Sequence, residues 1–307
     1  MPSPRFVHLR FHSEYSITDG IVRIDPMIHA VLEGGGAAVG ISDLMNVFGG
    51  LRFYTHALAA GLKPILGCDL KVINSKDLNK PFRLGVLCMN HEGYHSLSVL
   101  LTKAFLTNND AARGLVDPKW FDDGGSEGLI ALSGAAQGEL GSLLLGKKWS
   151  LAHEAAERFK AQFPGRFYVE LQRAGRPTDE LATARLANFA VEEQLPVVAT
   201  HPIQFLKPED FEAHEVRCSI AEGYTLQDPR RVKRYTPEQY LKSEAEMCEL
   251  FADIPVAIEN TVEIAKRCNL DGVLSKPQLP LFPTPDGMSL DDYIDQLSKE
   301  GLQKRLE

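Results

Sequence analysis

Apolar and polar residues alternate through Phe6–Ser16, and this stretch reads as a strand running into a polar turn. On a strand, successive side chains point to opposite faces. His8, Arg10 and His12 then share one face, and Val7, Leu9 and Phe11 the other. A helix is expected over Pro26–Leu32, with Asp25 as N-cap, Pro26 at the first helical position and Gly34–Gly36 closing it. Short apolar runs follow at Ala38–Asp43, Pro64–Ile73, Phe82–Cys88, Gly128–Ser133, Arg166–Gln172 and Pro196–Thr200. Helical stretches separate most of them, at 50–60, 94–105, 137–145, 150–163 and 178–194. Buried strands alternating with helices predict parallel βα units. Their number favours a closed barrel, and the polar residues fall just past the strand ends, where barrel sites are built.

The pattern changes from Pro208. Helices are expected over 209–221, 237–241, 243–251 and 255–268, with a charged loop at 225–237 carrying Arg230, Arg231, Lys233 and Arg234. Pro277, Pro280, Pro283 and Pro285 make a stiff connector of the stretch after Leu274. The charged helix 289–307 reads as the start of a further domain.

The chain has 307 residues and a net charge of −8, which argues against a broad electrostatic grip on DNA. Its five cysteines are scattered without a CxxC pair, as expected of buried thiols in a reducing cytosol. No apolar run has the length of a membrane span, and no signal peptide precedes the first strand. The expected location is cytoplasmic.

Two histidines two positions apart on a strand are natural metal ligands. Here Arg10, a permanent cation that cannot ligate a metal, lies between His8 and His12. His214, His91 and His95 fall in helical or helix-start contexts. Ser16 and Ser133 have no His and acid partners at recognisable spacing, so nucleophilic catalysis has no support.

The run His8-Leu-Arg-Phe-His-Ser-Glu-Tyr-Ser16, with Asp19-Gly20 behind it, resembles the opening of the bacterial replicative DNA polymerase III alpha subunits. These begin with a polymerase-and-histidinol-phosphatase (PHP) domain. The likeness continues through Gly40–Asp43, Gly61–Asp69, Tyr168–Gln172, Pro196–Thr200, Asp210–Glu215 and Met247–Pro255. The resemblance implies an α/β fold: a distorted (β/α)7 PHP barrel with a helical C-terminal extension, its site at the carboxyl ends of the strands. It implies a PHP domain over 1–272, a connector over 273–288 and the start of the polymerase palm over 289–307.

Active members of the family hold divalent metals that activate water for phosphoester hydrolysis. Matched position by position, the first His-x-His is Arg10-x-His12 and the Asp-His pair is Asp43-Leu44. A Glu becomes Asp69, a His becomes Arg83, a Cys becomes Ala135, and the late Asp-x-His becomes Pro202-x-Gln204. His201 is expected to face away, and Glu170 to be a paired carboxylate. The resemblance therefore implies a vestigial metal site at Arg10, His12, Asp43, Asp69, Arg83, Glu170, Pro202 and Gln204, with Arg10 pairing to Asp43 or Asp69 in place of a metal. Buried carboxylates without metal need such a counter-charge.

The expected function is a non-catalytic PHP module that supports the polymerase body and docks a proofreading exonuclease subunit. The alternative is a working metal-dependent phosphoesterase or 3'-5' exonuclease. No cofactor is expected in this stretch; Mg2+ would serve the polymerase domain of the parent protein. Other replicase subunits, and DNA through the parent polymerase, are the remaining expected partners.

Overall fold

The computed structural model describes residues 5–107, 114–272 and 282–307. The chain divides into two compact units, Met1–Val273 and Leu274–Glu307.

In the first unit, six strands form one mixed sheet in sequential order: β1 (Ala38–Ile41), β2 (Lys63–Val72), β3 (Phe82–Cys88), β4 (Leu129–Leu132), β5 (Phe167–Gln172) and β6 (Val197–Thr200). The expectation of parallel units throughout is corrected here. β1–β2, β4–β5 and β5–β6 are parallel, but β3 runs antiparallel to both β2 and β4. The short 73–81 connection between β2 and β3 is the reason, because a parallel return needs a crossover of a dozen or more residues. Six regular strands are present among the described residues, so the seven-unit count is not reached.

Residues 6–13 were expected as a regular strand. They form instead an extended segment pinned by isolated bridges, His8 to Val39 and Phe11 to Ile203. The amide of Phe11 donates to the Gly40 carbonyl, and that of His12 to the Ile203 carbonyl. The segment thus lies between β1 and the chain just beyond β6, and the sheet curls round it. Gly40 permits this approach, since a Cβ there would stand 2.4 Å from the Leu9 carbonyl oxygen.

One face of the sheet carries Ile65, Leu87, Ile130, Leu132, Tyr168 and Val198 in a single apolar cluster. The strand period of two puts Asp69, Glu170 and Thr200 on that same face, nearer the carboxyl ends of β2, β5 and β6. The other face, with Cys68, Leu70, Ala131, Val169, Leu171 and Ala199, packs on helices α3 (His91–Leu106), α4 (Glu139–Leu145), α5 (Trp149–Gln162) and α6 (Asp179–Glu192). Helices α1 (Ile24–Glu33) and α2 (Gly50–Ala59) cover β1 and β2 around Phe11, Met27 and Phe53. After β6 come α7 (Phe211–Glu222), α8 (Glu244–Leu250) and α9 (Pro255–Arg267).

Two local expectations are corrected. Helix α1 begins at Ile24 with Arg23 at the cap, so Asp25 and Pro26 lie in its first turn. The Asp25 carboxylate is taken by Arg52 and His56 of α2 and does not cap. No helix forms over 237–241. The Gln239 carbonyl accepts from the Gln204 amide, and Tyr240 bridges Phe205, so this stretch spends its backbone groups on the chain beyond β6.

The second unit contains a 3-10 turn at Pro285–Gly287 and helix α10 (Leu290–Leu306), capped by the Ser289 hydroxyl on the Asp292 amide. Most of the expected connector, 273–281, lies outside the described residues.

Candidate functional site

Asp69 of β2 and Glu170 of β5 face each other across the carboxyl end of the sheet, and Arg10 lies between them. Its Nη1 donates to Glu170 Oε1 at 2.5 Å and its Nη2 to Asp69 Oδ2. Arg10, Asp69 and Glu170 are 7%, 3% and 0% exposed, so the pairs sit out of water, where Coulomb interactions are least screened. Burial opposes the charge on both partners. The attraction outweighs it, raising the Arg10 pKa and holding Asp69 below the usual carboxylate range. Glu170 accepts further hydrogen bonds from the Gly134 amide (2.9 Å), Gln172 Nε2 (3.0 Å) and the Thr200 hydroxyl. Gly134 adopts a left-handed φ of +80°, which turns its N–H toward the carboxylate.

His12 is held on both sides. Its Nε2 lies 2.9 Å from Asp69 Oδ2, and its Nδ1 3.1 Å from Asp19 Oδ2 and 3.2 Å from Gln204 Nε2. Burial works against the imidazolium, but Asp19 and then Asp69 overcome it and push the His12 pKa up to about 10. Asp19 is correspondingly held far below its ordinary value, against its own burial, with His12 the chief cause. Ser16 Oγ donates to Asp19 Oδ1 at 2.6 Å and lies 3.5 Å from His12 Nδ1. Ser16, His12 and Asp69 therefore stand in the order of a nucleophile triad. The Ser16 hydroxyl, however, donates to Asp19, and both His12 nitrogens face carboxylates, so the pair is not set as a nucleophile on its base.

The remaining predicted positions divide. Gln204 lies against His12. Asp43 is bound elsewhere: its oxygens accept the Ser13 amide (2.6 Å) and hydroxyl (2.7 Å), which corrects the expected alternative of an Arg10–Asp43 pair. Burial pushes the Asp43 pKa up to about 6, partly offset by those two bonds. Arg83 stands at the rim. Its charge lowers the pKa of Asp19 and Asp69, and its Nη1 is buried with no hydrogen-bond partner among the described residues. Pro202 contributes a carbonyl that accepts from Gln239. His8 does not join Arg10 and His12. It bonds the Lys242 carbonyl, and burial lowers its pKa to about 4. His201 bonds the Glu238 carbonyl, away from the network, as expected. His214 bonds the Asp19 carbonyl oxygen. Three of the loop cations are paired locally: Arg230 to Asp228, Arg231 to Glu215, and Arg234 to Glu222.

Asp19, Gln172, Thr200 and Ser13 are site residues that the sequence reading did not single out. Only Asp19 left a signal, in its place behind the Ser16 turn. Arg10, Arg83 and His12 thus face the three carboxylates Asp19, Asp69 and Glu170. Among the described residues, no group of three or more His, Cys, Asp or Glu side chains is arranged to hold a metal ion.

Comparison with known proteins defines the class. The PHP domain family matches residues 8–174, and the chain belongs to that family. Its curated relatives are bacterial DNA polymerase III alpha subunits. It is 48% identical to that of Neisseria meningitidis serogroup B over 100% of this chain and 27% of the relative, and 46% identical to that of Pseudomonas fluorescens over 98% and 26%. The Escherichia coli K12 subunit is 44% identical over 100% of this chain and 26% of its own. The chain therefore spans about a quarter of the length of these relatives. Among solved structures it is similar to an amidohydrolase from Chromobacterium violaceum, with TM-score 0.43 and 12% identity over 64% of this chain and 87% of that one. A putative metal-dependent phosphoesterase from Bifidobacterium adolescentis matches with TM-score 0.39 and 12% identity over 64% and 85%. No helix among the described residues is long and apolar enough to cross a membrane.

Proposed function

We propose that this chain is the PHP domain of a replicative DNA-directed DNA polymerase alpha subunit, working in the bacterial cytoplasm, and that its family metal site is vestigial. The whole-chain likeness to DNA polymerase III alpha subunits supports the first part. The position of Arg10 carries the second. Its guanidinium takes one oxygen each of Asp69 and Glu170 and puts a fixed cation between them, and both nitrogens of His12 face carboxylates. A divalent ion about 4 Å from that guanidinium would meet several kcal/mol of repulsion at a moderate effective dielectric. The residues present do not fit the metal cluster, and no hydrolytic step is assigned to them.

The function of such a domain is structural. It supports the polymerase body and docks the separate proofreading exonuclease, alongside other replicase subunits. Nucleotide addition, with Mg2+ and DNA, belongs to the rest of the parent protein. Metal analysis of the purified chain, combined with a 3'-5' exonuclease assay, tests the reading. We expect no stoichiometric metal and no activity that His12→Ala abolishes. Near-stoichiometric zinc or manganese with such activity would establish a phosphoesterase instead. Docking is tested separately, by capture of the purified exonuclease subunit on the immobilised chain.

A further inference from the structure

The two sides of helix α7 differ. His214 and Cys218 lie on its buried side, with His214 bonded to the Asp19 carbonyl. Along one flank, Glu215 and Glu222 are taken by the loop cations Arg231 and Arg234. The side turned away from these residues is apolar and uncovered among the described residues. Ala213, Val216 and Ile220 recur there at intervals of three and four, the spacing of neighbours on one helix face, and Tyr224 follows just past the Gly223 cap. Val216, Ile220 and Tyr224 are 39%, 70% and 37% exposed, and Val232 of the 225–237 loop is 62% exposed. That loop borders the stripe, since the Arg230 guanidinium lies over the Tyr224 ring, 5.5 Å from its centroid. Grouped apolar side chains rimmed by polar ones mark interaction surfaces, because a second apolar surface removes them from water.

Charge around the stripe selects the partner. The loop carries Arg230, Arg231, Lys233 and Arg234 against one acid, Asp228, in a chain of net charge −8. Arg230, Arg231 and Arg234 are paired with Asp228, Glu215 and Glu222. Lys233 is exposed and has no ion pair among the described residues. Arg217, beside Val216 on α7, has none either, and its Nε is buried without a hydrogen-bond partner. Glu212, exposed at the N-terminal end of the stripe, is the acid that balances them in part. Cations beside an apolar stripe suit a helix that presents its own apolar stripe with carboxylates at its edge. A nucleic-acid backbone would set phosphates against Val216 and Ile220. We propose that this outer face of α7, with Val232 and Lys233, docks an acidic amphipathic helix of a partner protein. The face points away from the Arg10 network, and the proposal does not depend on the polymerase reading.

Fluorescence anisotropy of the full chain with a labelled, designed peptide tests it. The peptide has about five helical turns, leucines on one face and glutamates at its edges. A matched peptide with lysines for glutamates and a single-stranded oligonucleotide are the controls. We expect the glutamate peptide to bind about tenfold or more tightly than the lysine peptide, by a margin that shrinks as salt rises. Ile220→Glu should weaken it about tenfold or more, as loss of a central apolar anchor does. Lys233→Glu should weaken it about threefold. Both residues are exposed, so an unchanged unfolding midpoint separates lost docking from lost folding. No binding at millimolar peptide overturns the proposal, as does equal binding of the two peptides or indifference to Ile220→Glu. Oligonucleotide binding that Lys233→Glu removes would assign the face to nucleic acid and overturn it. So would a dimer in sedimentation that Ile220→Glu dissociates, which would assign the face to a second copy of the chain.

Discussion

Arg10 and Arg83 occupy the centre and the rim of one barrel mouth, and their surroundings are opposite. Arg10 is enclosed, with a terminal nitrogen on each of two carboxylates, while its Nε and Asp69 Oδ1 have no hydrogen-bond partner among the described residues. Arg83 acts on Asp19 and Asp69 through its field, and its Nη1 is buried with no hydrogen-bond partner among the described residues. The resemblance implies that both arginines stand where the family pattern has histidine. The centre thus holds an arginine with two buried ion pairs, and the rim an arginine with none among the described residues. A buried charge is tolerated where an opposite charge is paired with it, and removing one member of such a pair leaves the other uncompensated. Removing a central residue should therefore damage the fold, and removing a rim residue should not.

The largest expected effect is that of Arg10→Ala. It leaves Asp69 and Glu170 buried side by side without their shared cation, and breaking a buried pair in this way costs about 3–5 kcal/mol. Urea unfolding of the purified chain measures it; a loss under about 1 kcal/mol would mean that the centre is no more closed than the rim. The second effect is a pH dependence. The folded pKa of His12 is about 10, above the ordinary 6.5, so its contribution is fully present below pH 6.5 and is lost as pH rises to 10. The loss should be on the order of a few kcal/mol. NMR titration of the His12 ring reports the pKa directly, and a midpoint near 6.5 would remove the imidazolium from the network. At the acid end the sign reverses. Asp19 and Asp69 have lowered pKa values, so the stability they give is present above the ordinary carboxylate range and lost as pH falls below it.

Much of this centre was legible in the sequence, because a strand's period of two fixes which residues can meet. Asp69, Glu170 and Arg10 needed only correct strand boundaries and the resemblance. The antiparallel β3 was not legible: Phe82–Cys88 is equally apolar for either direction, and only the short 73–81 connection argued against a parallel one. Asp43 was one of two expected partners of Arg10, with Asp69, because the resemblance puts both at the family's metal-ligand positions. Yet Ser13, one residue past His12, supplies two donors and takes the carboxylate first. The 237–241 helix failed because its backbone partners lie more than thirty residues earlier, at 202–205, where a local pattern carries no trace of them. His8 parted from Arg10 and His12 because the first segment is pinned by single bridges, so alternation is not enforced along it.

The smaller effects sharpen the contrast between centre and rim. Ser13→Ala removes one of the two side-chain and backbone donors on Asp43 and leaves an oxygen unsatisfied, at a cost of about 1–3 kcal/mol. It should also move the Asp43 pKa above its present value of about 6, because burial then acts with less opposition. The sign matters here. An acid whose folded pKa is raised adds stability below its unfolded pKa and loses it as pH climbs through the folded one. Ser13→Ala should therefore hurt more at pH 7 than at pH 5, whereas a loss independent of pH would point to packing alone. Arg83→Ala stands at the end of the series. It deletes a cation whose terminal nitrogen already lacks a partner, so part of the lost attraction to Asp19 and Asp69 is returned as relief of an unsatisfied donor. The net change in unfolding free energy should be under about 1 kcal/mol, well below that of Arg10→Ala. If the two substitutions cost the same, Arg83 belongs to the closed network, and the distinction between centre and rim does not hold.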